Sequence, residues 1–501
     1  MTQEQVGTTE QQQLSDRNRW IALYVLCVSV LMIVLDVTVV NVALPSIKDD
    51  LGFSQSSLAW VVNAYLITFG GLLLLAGRLG DLIGRRTILL YGLALFVAAS
   101  ILCGVSQTEE MLIGARLLQG IGGAMTSAVV LGMIVTMFPE PREQAKAVGV
   151  YAFVASAGGA VGLLVGGVVT QVISWHWIFF INAPIGLFTA IYSRRLLEKD
   201  EGIGFDQGAD ALGAILITAS LMLGVYTIVE PAAKDGWGSA LTLGLGAGSL
   251  ALLGLFIARE ATARTPLIPL RIFRSRNVTG ANLVQVLTVA GMFGVFFMGS
   301  LYLQLVQGYD ALQIGLAFLP ITIIMGTLTG RYSEPLITRF GARRLLFPGL
   351  ALVAAGLVYF TRAPVDGNYL IYILPVLVLM GVGIGICFPA LMTLAMSGAT
   401  RADAGLASGL VNTTAQVGGA LGLAVLATLS TSRSDSLEAA GHSTDSALTS
   451  GYHLAFWVAA GLVVAAIAVV AIVIQPEEKA AERFAADDEQ IPDEAAYPEA
   501  A

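Results

Sequence analysis

Hydrophobic residues in this chain come in long unbroken blocks, not in the two-residue alternation of half-buried strands. Fourteen such blocks lie near 20–44, 56–76, 87–105, 109–137, 146–171, 177–196, 209–229, 239–258, 278–305, 312–330, 344–361, 369–397, 404–429 and 452–474. Each approaches or exceeds the roughly 20 residues that carry a helix across a bilayer core about 30 Å thick. Lipid offers the backbone no partners, so a crossing segment must satisfy its own N–H and C=O groups. The pattern predicts an all-α integral membrane protein with 14 transmembrane helices. The first block is too long for a cleaved signal and has no obvious small-residue cleavage site after it.

Composition agrees. Apolar residues make up 56% of the 501 and charged residues only 12%, about half the charged share of a soluble domain. The net charge of −8 owes much to a C-terminal tail holding Asp487, Asp488, Glu489, Asp493, Glu494 and Glu499, a segment expected to be disordered. Nucleic acid has no support as a partner. Basic residues crowd the connections on the side of the two termini, as Arg85 and Arg86, Arg194 and Arg195, Arg271, Arg274 and Arg276, and Arg343 and Arg344. The opposite connections hold only Lys48, Lys234, Arg362 and Arg433. By the positive-inside rule both termini are cytoplasmic, which requires an even number of crossings. Cys27, Cys103 and Cys387 fall inside spans, far apart, and are expected to be free buried thiols.

The chain also repeats itself. AGGAVGLLV (Ala157 to Val165) returns as VGGALGLAV (Val417 to Val425), and REQAKAVG from Arg142 returns as RADAGLASG from Arg401. IGRRTILL from Ile83 matches FGARRLLF from Phe340, and QGIGG from Gln119 matches MGVGIG from Met380. All four matches keep nearly one offset, so the simplest plan is two six-helix bundles, spans 1–6 and 9–14, with two helices inserted between them. The corresponding segments are a tail at 1–19, a bundle at 20–197, linker helices and loops at 198–276, a second bundle at 277–474 and a tail at 475–501. Parallel halves of this kind are the transporter plan in which two bundles rock around a midplane site.

Two charges break the symmetry. Asp36 sits inside the first block, where an ionised acid costs about 2.5–3.5 kcal/mol even on lenient insertion scales. Arg116 is the only basic residue well inside a span, and its repeat position is Leu377. Counted from the same end of their spans, both lie about 10–12 Å deep, which permits a pair, direct or through water. A neutral hydrogen-bonded acid and an Arg that merely satisfies carbonyls are the bland alternatives. Unique to one half, the two charges are the better candidates for machinery, with Asp36 as a proton carrier or a counter-ion for cations.

Other polar residues are less decisive. Asn63, Tyr65, Tyr151, Asn282, Gln285, Tyr302 and Gln304 could line a substrate pocket, or each could make an ordinary interhelical bond. Gly158, Gly162 and Gly166 repeat every four residues, the spacing of close helix contact. His176, His442 and His453 lie at membrane ends without metal spacing, and no phosphate-binding loop or paired-Cys motif occurs. No metal site, no cofactor and no catalytic constellation is expected. A sensor role lacks a sizeable soluble output domain.

Several of these stretches resemble the major facilitator superfamily, and within it the branch of 14-helix drug:proton antiporters. GRLGDLIGRR (Gly77 to Arg86) is similar to the signature between spans 2 and 3, LIGARLLQGIGGA (Leu112 to Ala124) to the span-4 motif, LDVTVVNVALP (Leu35 to Pro45) to the span-1 motif and WHWIFFINAPIG (Trp175 to Gly186) to the start of span 6. The resemblance covers nearly all of the chain between its tails. It implies proton coupling at Asp36 and Arg116. It also implies a conformational latch of Gly77, Asp81, Gly84, Arg85 and Arg86, with Asp81 docking near Arg401 at the start of span 13. Gly158, Gly162, Gly166 and Gly167 would be antiporter-motif packing. Leu163 stands where the family has Pro, so a milder bend is expected there.

The expected function is export of lipophilic, often cationic small molecules in exchange for protons, driven by the proton gradient and carried out by a monomer in the cell membrane of a bacterium. Export of one dedicated metabolite or self-made antibiotic is the alternative, and proton-coupled uptake a further one. The resemblance also implies a second acid deep in span 10 where divalent cations are handled; span 10 here offers only Glu334, near its cytoplasmic end, so monovalent or neutral lipophilic compounds are expected.

Overall fold

A computed structural model of the chain describes residues 3–54, 57–138, 140–200, 202, 204, 210–396 and 404–475. The acidic tail and Arg401 therefore lie outside the described residues. In the first half the helices are α1 (Gln3–Leu51), α2 (Trp60–Ile83), α3 (Arg85–Gly104), α4 (Glu109–Met137), α5 (Pro141–Val172), α6 (Trp177–Phe180) and α7 (Asn182–Leu196). Next come α8 (Ala211–Val229), α9 (Pro231–Asp235) and α10 (Ala240–Thr262). The last part holds α11 (Arg276–Leu301), α12 (Ala311–Thr327), α13 (Ser333–Phe340), α14 (Ala342–Phe360), α15 (Leu374–Met396), α16 (Ala404–Ala439) and α17 (Thr444–Ile472). No strand occurs among the described residues.

Among the described residues, twelve helical stretches are long and apolar enough to cross a membrane. The other two expected spans look different. The block near 146–171 is the 32-residue α5, apolar over Val161–Val172. The block at 177–196 is not one helix: it breaks at Ile181 into α6 and α7. Pro184 explains the break, since proline suits a helix's first turn but removes a hydrogen bond and clashes further in. The first helix also outruns its expected limits, beginning at Gln3 and passing through Pro45 to Leu51.

Within each half the same packing recurs. Helix α5 lies on α1 and α4 on α3, while α16 lies on α11 and α15 on α14. The repeated glycines make the contacts. A side chain at Gly158 or Gly162 would meet α1 at Val34 or Thr38, and one at the matching Gly418 or Gly422 would meet α11 at Val286 or Ala290. Gly122 faces Phe96 as Gly383 faces Val353. Gly84 and Gly341, each between two helices, adopt φ of +100° and +81°, a turn that residues with a Cβ resist. Free buried cysteines are found at all three positions.

The halves meet where α2 packs on α16 and α5 on α12. Gly70 abuts Gln416, and Gly167 abuts the backbone of Ala311 and Leu312. The inserted α8 lies along this junction, touching both α2 and α16, with α10 on its far side. Arg259 Nε donates to both carboxylate oxygens of Asp210 at 3.1 Å, and Ser220 and Ser249 exchange hydrogen bonds at 2.9 Å. These bonds tie α10 to α8. Only 11% of α10's most apolar stretch is buried, against 83% for α2, so α10 is the most open to lipid of the twelve.

Candidate functional site: a buried carboxylate–guanidinium pair

Asp36 and Arg116 are in direct contact. Arg116 Nη1 donates to Asp36 Oδ2 at 2.5 Å, with the two side chains 0% and 1% exposed. Depth counting allowed this pair; the geometry makes it an unbridged one. Arg116 Nε also donates to the Val61 carbonyl at 2.9 Å, and Nη1 to Gln119 Oε1 at 2.6 Å. The guanidinium lies 4.5 Å from the Tyr65 ring and 5.8 Å from that of Phe179.

The other carboxylate oxygen is equally engaged. Asp36 Oδ1 accepts from Gln119 Nε2 at 2.6 Å and from Asn182 Nδ2 at 2.9 Å. Ser100 backs both amides, its hydroxyl accepting from Gln119 at 2.8 Å and from Asn182 at 3.4 Å. The carboxylate thus takes three donors, from α4 and α7, while α2 and α3 supply the surrounding shell. All of these helices belong to the first half. A buried charge persists when it is paired and its remaining lone pairs are satisfied, and both conditions hold here.

Gln119, Asn182 and Ser100 were not singled out from the sequence. Neutral polar residues cost far less in a span than a charge, so they raise no alarm. Gln119 carried a signal nonetheless: it stands three residues after Arg116, on the same helix face. Asn182 is the first residue of α7, and the break at Ile181 turns its amide toward Asp36.

The latch residues form a different arrangement. Asp81 Oδ1 accepts from Arg85 Nε at 3.2 Å and Nη2 at 3.0 Å, and Arg85 Nη1 donates to the Gly132 carbonyl at 3.2 Å. The Asp200 carboxylate accepts from the backbone N–H groups of Arg85 (2.5 Å) and Arg86 (3.2 Å) at the start of α3. Arg86 reaches the Arg194 carbonyl, and Gly204 N–H donates to the Leu82 carbonyl. Gly77 lies near Ala128. The segment after α7 therefore clips the α2–α3 turn, a contact between distant loops that no sequence spacing announces. The expected docking of Asp81 at Arg401 falls outside the described residues, although Gly409 of α16 lies against Leu74 of α2.

The residues suggested for a substrate pocket stand in different settings. Asn63 is fully buried with both amide atoms unpartnered; Tyr65 Oη, Gln285 Oε1 and Gln304 Oε1 are likewise unpartnered. Asn282 is spent on α16 and its own helix, accepting from Thr414 at 2.8 Å and donating to Val278 O at 2.8 Å. Tyr302 donates to the Pro364 carbonyl at 2.6 Å, an anchor at a helix end, and Tyr151 is half-buried on α5. Of the span-5 glycines, Gly158, Gly162 and Gly166 line α1, whereas Gly167 faces α12. Leu163 is buried beside Gly315 in a helix that runs unbroken.

Long lipid-crossing helices, two repeated bundles and an ion pair sealed inside one of them describe a membrane transporter. The family model of the Major Facilitator Superfamily matches residues 26–423, and the chain belongs to that superfamily. It is 37% identical to a puromycin resistance protein of Streptomyces alboniger, over 93% of each chain. It is 38% identical to a cephamycin export protein of Amycolatopsis lactamdurans, over 81% of this chain and 84% of the relative. A tetracenomycin C resistance and export protein of Streptomyces glaucescens is 33% identical over 83% of this chain and 76% of the relative. A solved bacterial homologue of the human lysosomal transporter Spinster superposes with a TM-score of 0.63 at 15% identity, covering 94% of this chain and 98% of that one, a likeness of fold.

Proposed function

We propose that this protein exports lipophilic, often cationic small molecules in exchange for protons, with both termini in the cytoplasm. The observation that carries the reading is the Asp36–Arg116 pair, enclosed at 0% and 1% exposure and held wholly by the first half. Protonating Asp36 would leave the Arg116 charge uncompensated in a dry site, a cost of several kcal/mol. Proton binding and the closed pair are therefore mutually unfavourable. A proton arriving from outside favours whatever arrangement gives the guanidinium other partners or water, and its release inside favours the pair again. An inward proton also gains about 2.3 kcal/mol per 100 mV of membrane potential. Each turnover so links a change of protonation to a change in the packing of α1, α4 and α7, which alternating access requires.

A second reading is export of one dedicated product. It draws support from relatives named for single antibiotics, puromycin, cephamycin and tetracenomycin C among them. Dye and antibiotic efflux from cells carrying wild type or Asp36→Asn tests both readings. Proton-driven efflux that Asp36→Asn abolishes is expected. Equal pumping by the variant, or wild-type efflux indifferent to an uncoupler, sinks the antiport reading. Efflux of one antibiotic and no dye selects the dedicated exporter.

A further inference from the structure

At the end of the bundle away from the chain termini, a cavity of about 720 Å³ opens between α2, α4 and the inserted α8. Its volume falls in the range of roughly 300–1,000 Å³ that holds drug-sized ligands. Trp60 starts α2 and is buried, while Tyr226 on α8 is about half exposed; the two put aromatic rings on its walls. Met222 lines its apolar interior. The rim carries Glu109 and Glu110 from the start of α4 and Glu230 from the end of α8.

The charges on this rim choose the occupant. Lys234, outside the cavity, pairs with Glu230 at 2.5 Å, and Ser57 donates to Glu109 at 3.3 Å. Neither Glu109 nor Glu110 is in an ion pair among the described residues. The rim therefore keeps a negative excess, and a phosphodiester headgroup brought there would be repelled. Met222 lies eight residues before Glu230, about 12 Å along the helix. A ligand with one cationic end at the rim and an apolar body toward Met222 fits both dimensions, and aromatic faces add attraction for such a head.

We infer that this groove is a binding site for amphipathic organic monocations, separate from the Asp36 centre and built in part by the inserted helices. The site concerns equilibrium binding alone, so it stands or falls independently of the export reading. Full-length protein carrying Met222→Cys, in phosphatidylglycerol nanodiscs, is alkylated with a maleimide in the presence of tetraphenylphosphonium. At ten times its Kd the cation should slow alkylation about tenfold by mass action. Glu109→Gln with Glu230→Gln should remove the protection, read for each protein as the ratio of its own rates with and without the cation. Glu110→Gln alone, altering an exposed side chain, should weaken it severalfold. The inference is overturned if tetraphenylphosphonium gives no protection, if neutral triphenylphosphine oxide protects equally, or if both rim variants keep full protection. Protection that follows added phosphatidylethanolamine instead of the cation would make the groove a lipid site and overturn it as well.

Discussion

The two halves of the chain share a fold and differ in what they bury. Around Asp36 the first half encloses a guanidinium, a carboxylate, two amides and a hydroxyl in one hydrogen-bonded set. At the repeat offsets the second half offers the run Phe293 to Phe297, with no acid, and buried Leu377 in place of Arg116. Its interior instead stacks rings, Phe360 on Phe456 at 4.4 Å with Tyr302 edge-on to Phe360 at 5.8 Å. The shared glycine contacts show that helix-on-helix geometry needs neither solution in particular. Scaffold is therefore what the halves have in common, and a buried ionic set is what only one of them has.

The sharpest way to break this contrast is to remove one charge. Arg116→Leu strands the Asp36 carboxylate and should cost about 3–5 kcal/mol, read as a large loss of thermal stability and of efflux. Adding Asp36→Asn to Arg116→Leu should recover much of that stability with no recovery of proton-driven efflux. A double variant that pumps would show the pair to be structural. The reverse experiment puts charge where rings and leucines belong. Leu377→Arg should cost about 2.5–3.5 kcal/mol and lower the yield of membrane-inserted protein.

Smaller effects compare the shared scaffold. Gly422→Ala would push a methyl into the backbone and Cβ of Ala290, an overpacking worth about 1–3 kcal/mol in melting experiments. Gly162→Ala meets chiefly the Thr38 hydroxyl, a side chain able to rotate, and should cost less. Equal losses would mean that Thr38 is locked, as its hydrogen bonds to the carbonyls of Val34 and Leu35 allow. The smallest change is expected for Asp200→Ala, which removes a cap worth about 1 kcal/mol from α3 and leaves the pair untouched.

The sequence disclosed the features that are expensive or periodic. Long apolar blocks, the repeat and two charges in lipid each violate an average strongly enough to be seen in a single chain. Arg116 and Asp36 could even be matched by depth, because helical rise is fixed. What stayed hidden was cheap or non-local. Gln119 and Asn182 look like any amide in a span, and their roles depend on the angle between α4 and α7. The break at Ile181 was foreseeable from Pro184, but hydropathy averages over it. Asp200 reaches the α2–α3 turn from more than a hundred residues away, through a loop with no periodicity to read. The groove beside α8 needed three helices in place before it existed.

Cys103 gives the sealed pair a native witness. Its thiol is fully buried and donates to Gln119 Oε1 at 3.6 Å, one residue removed from both charges. A membrane-permeant alkylating reagent can reach it only while the helices around Asp36 part. The labelling rate at Cys103, resolved from those at Cys27 and Cys387, is therefore a clock for how often this interior is breached, and energising the membrane should change its tempo.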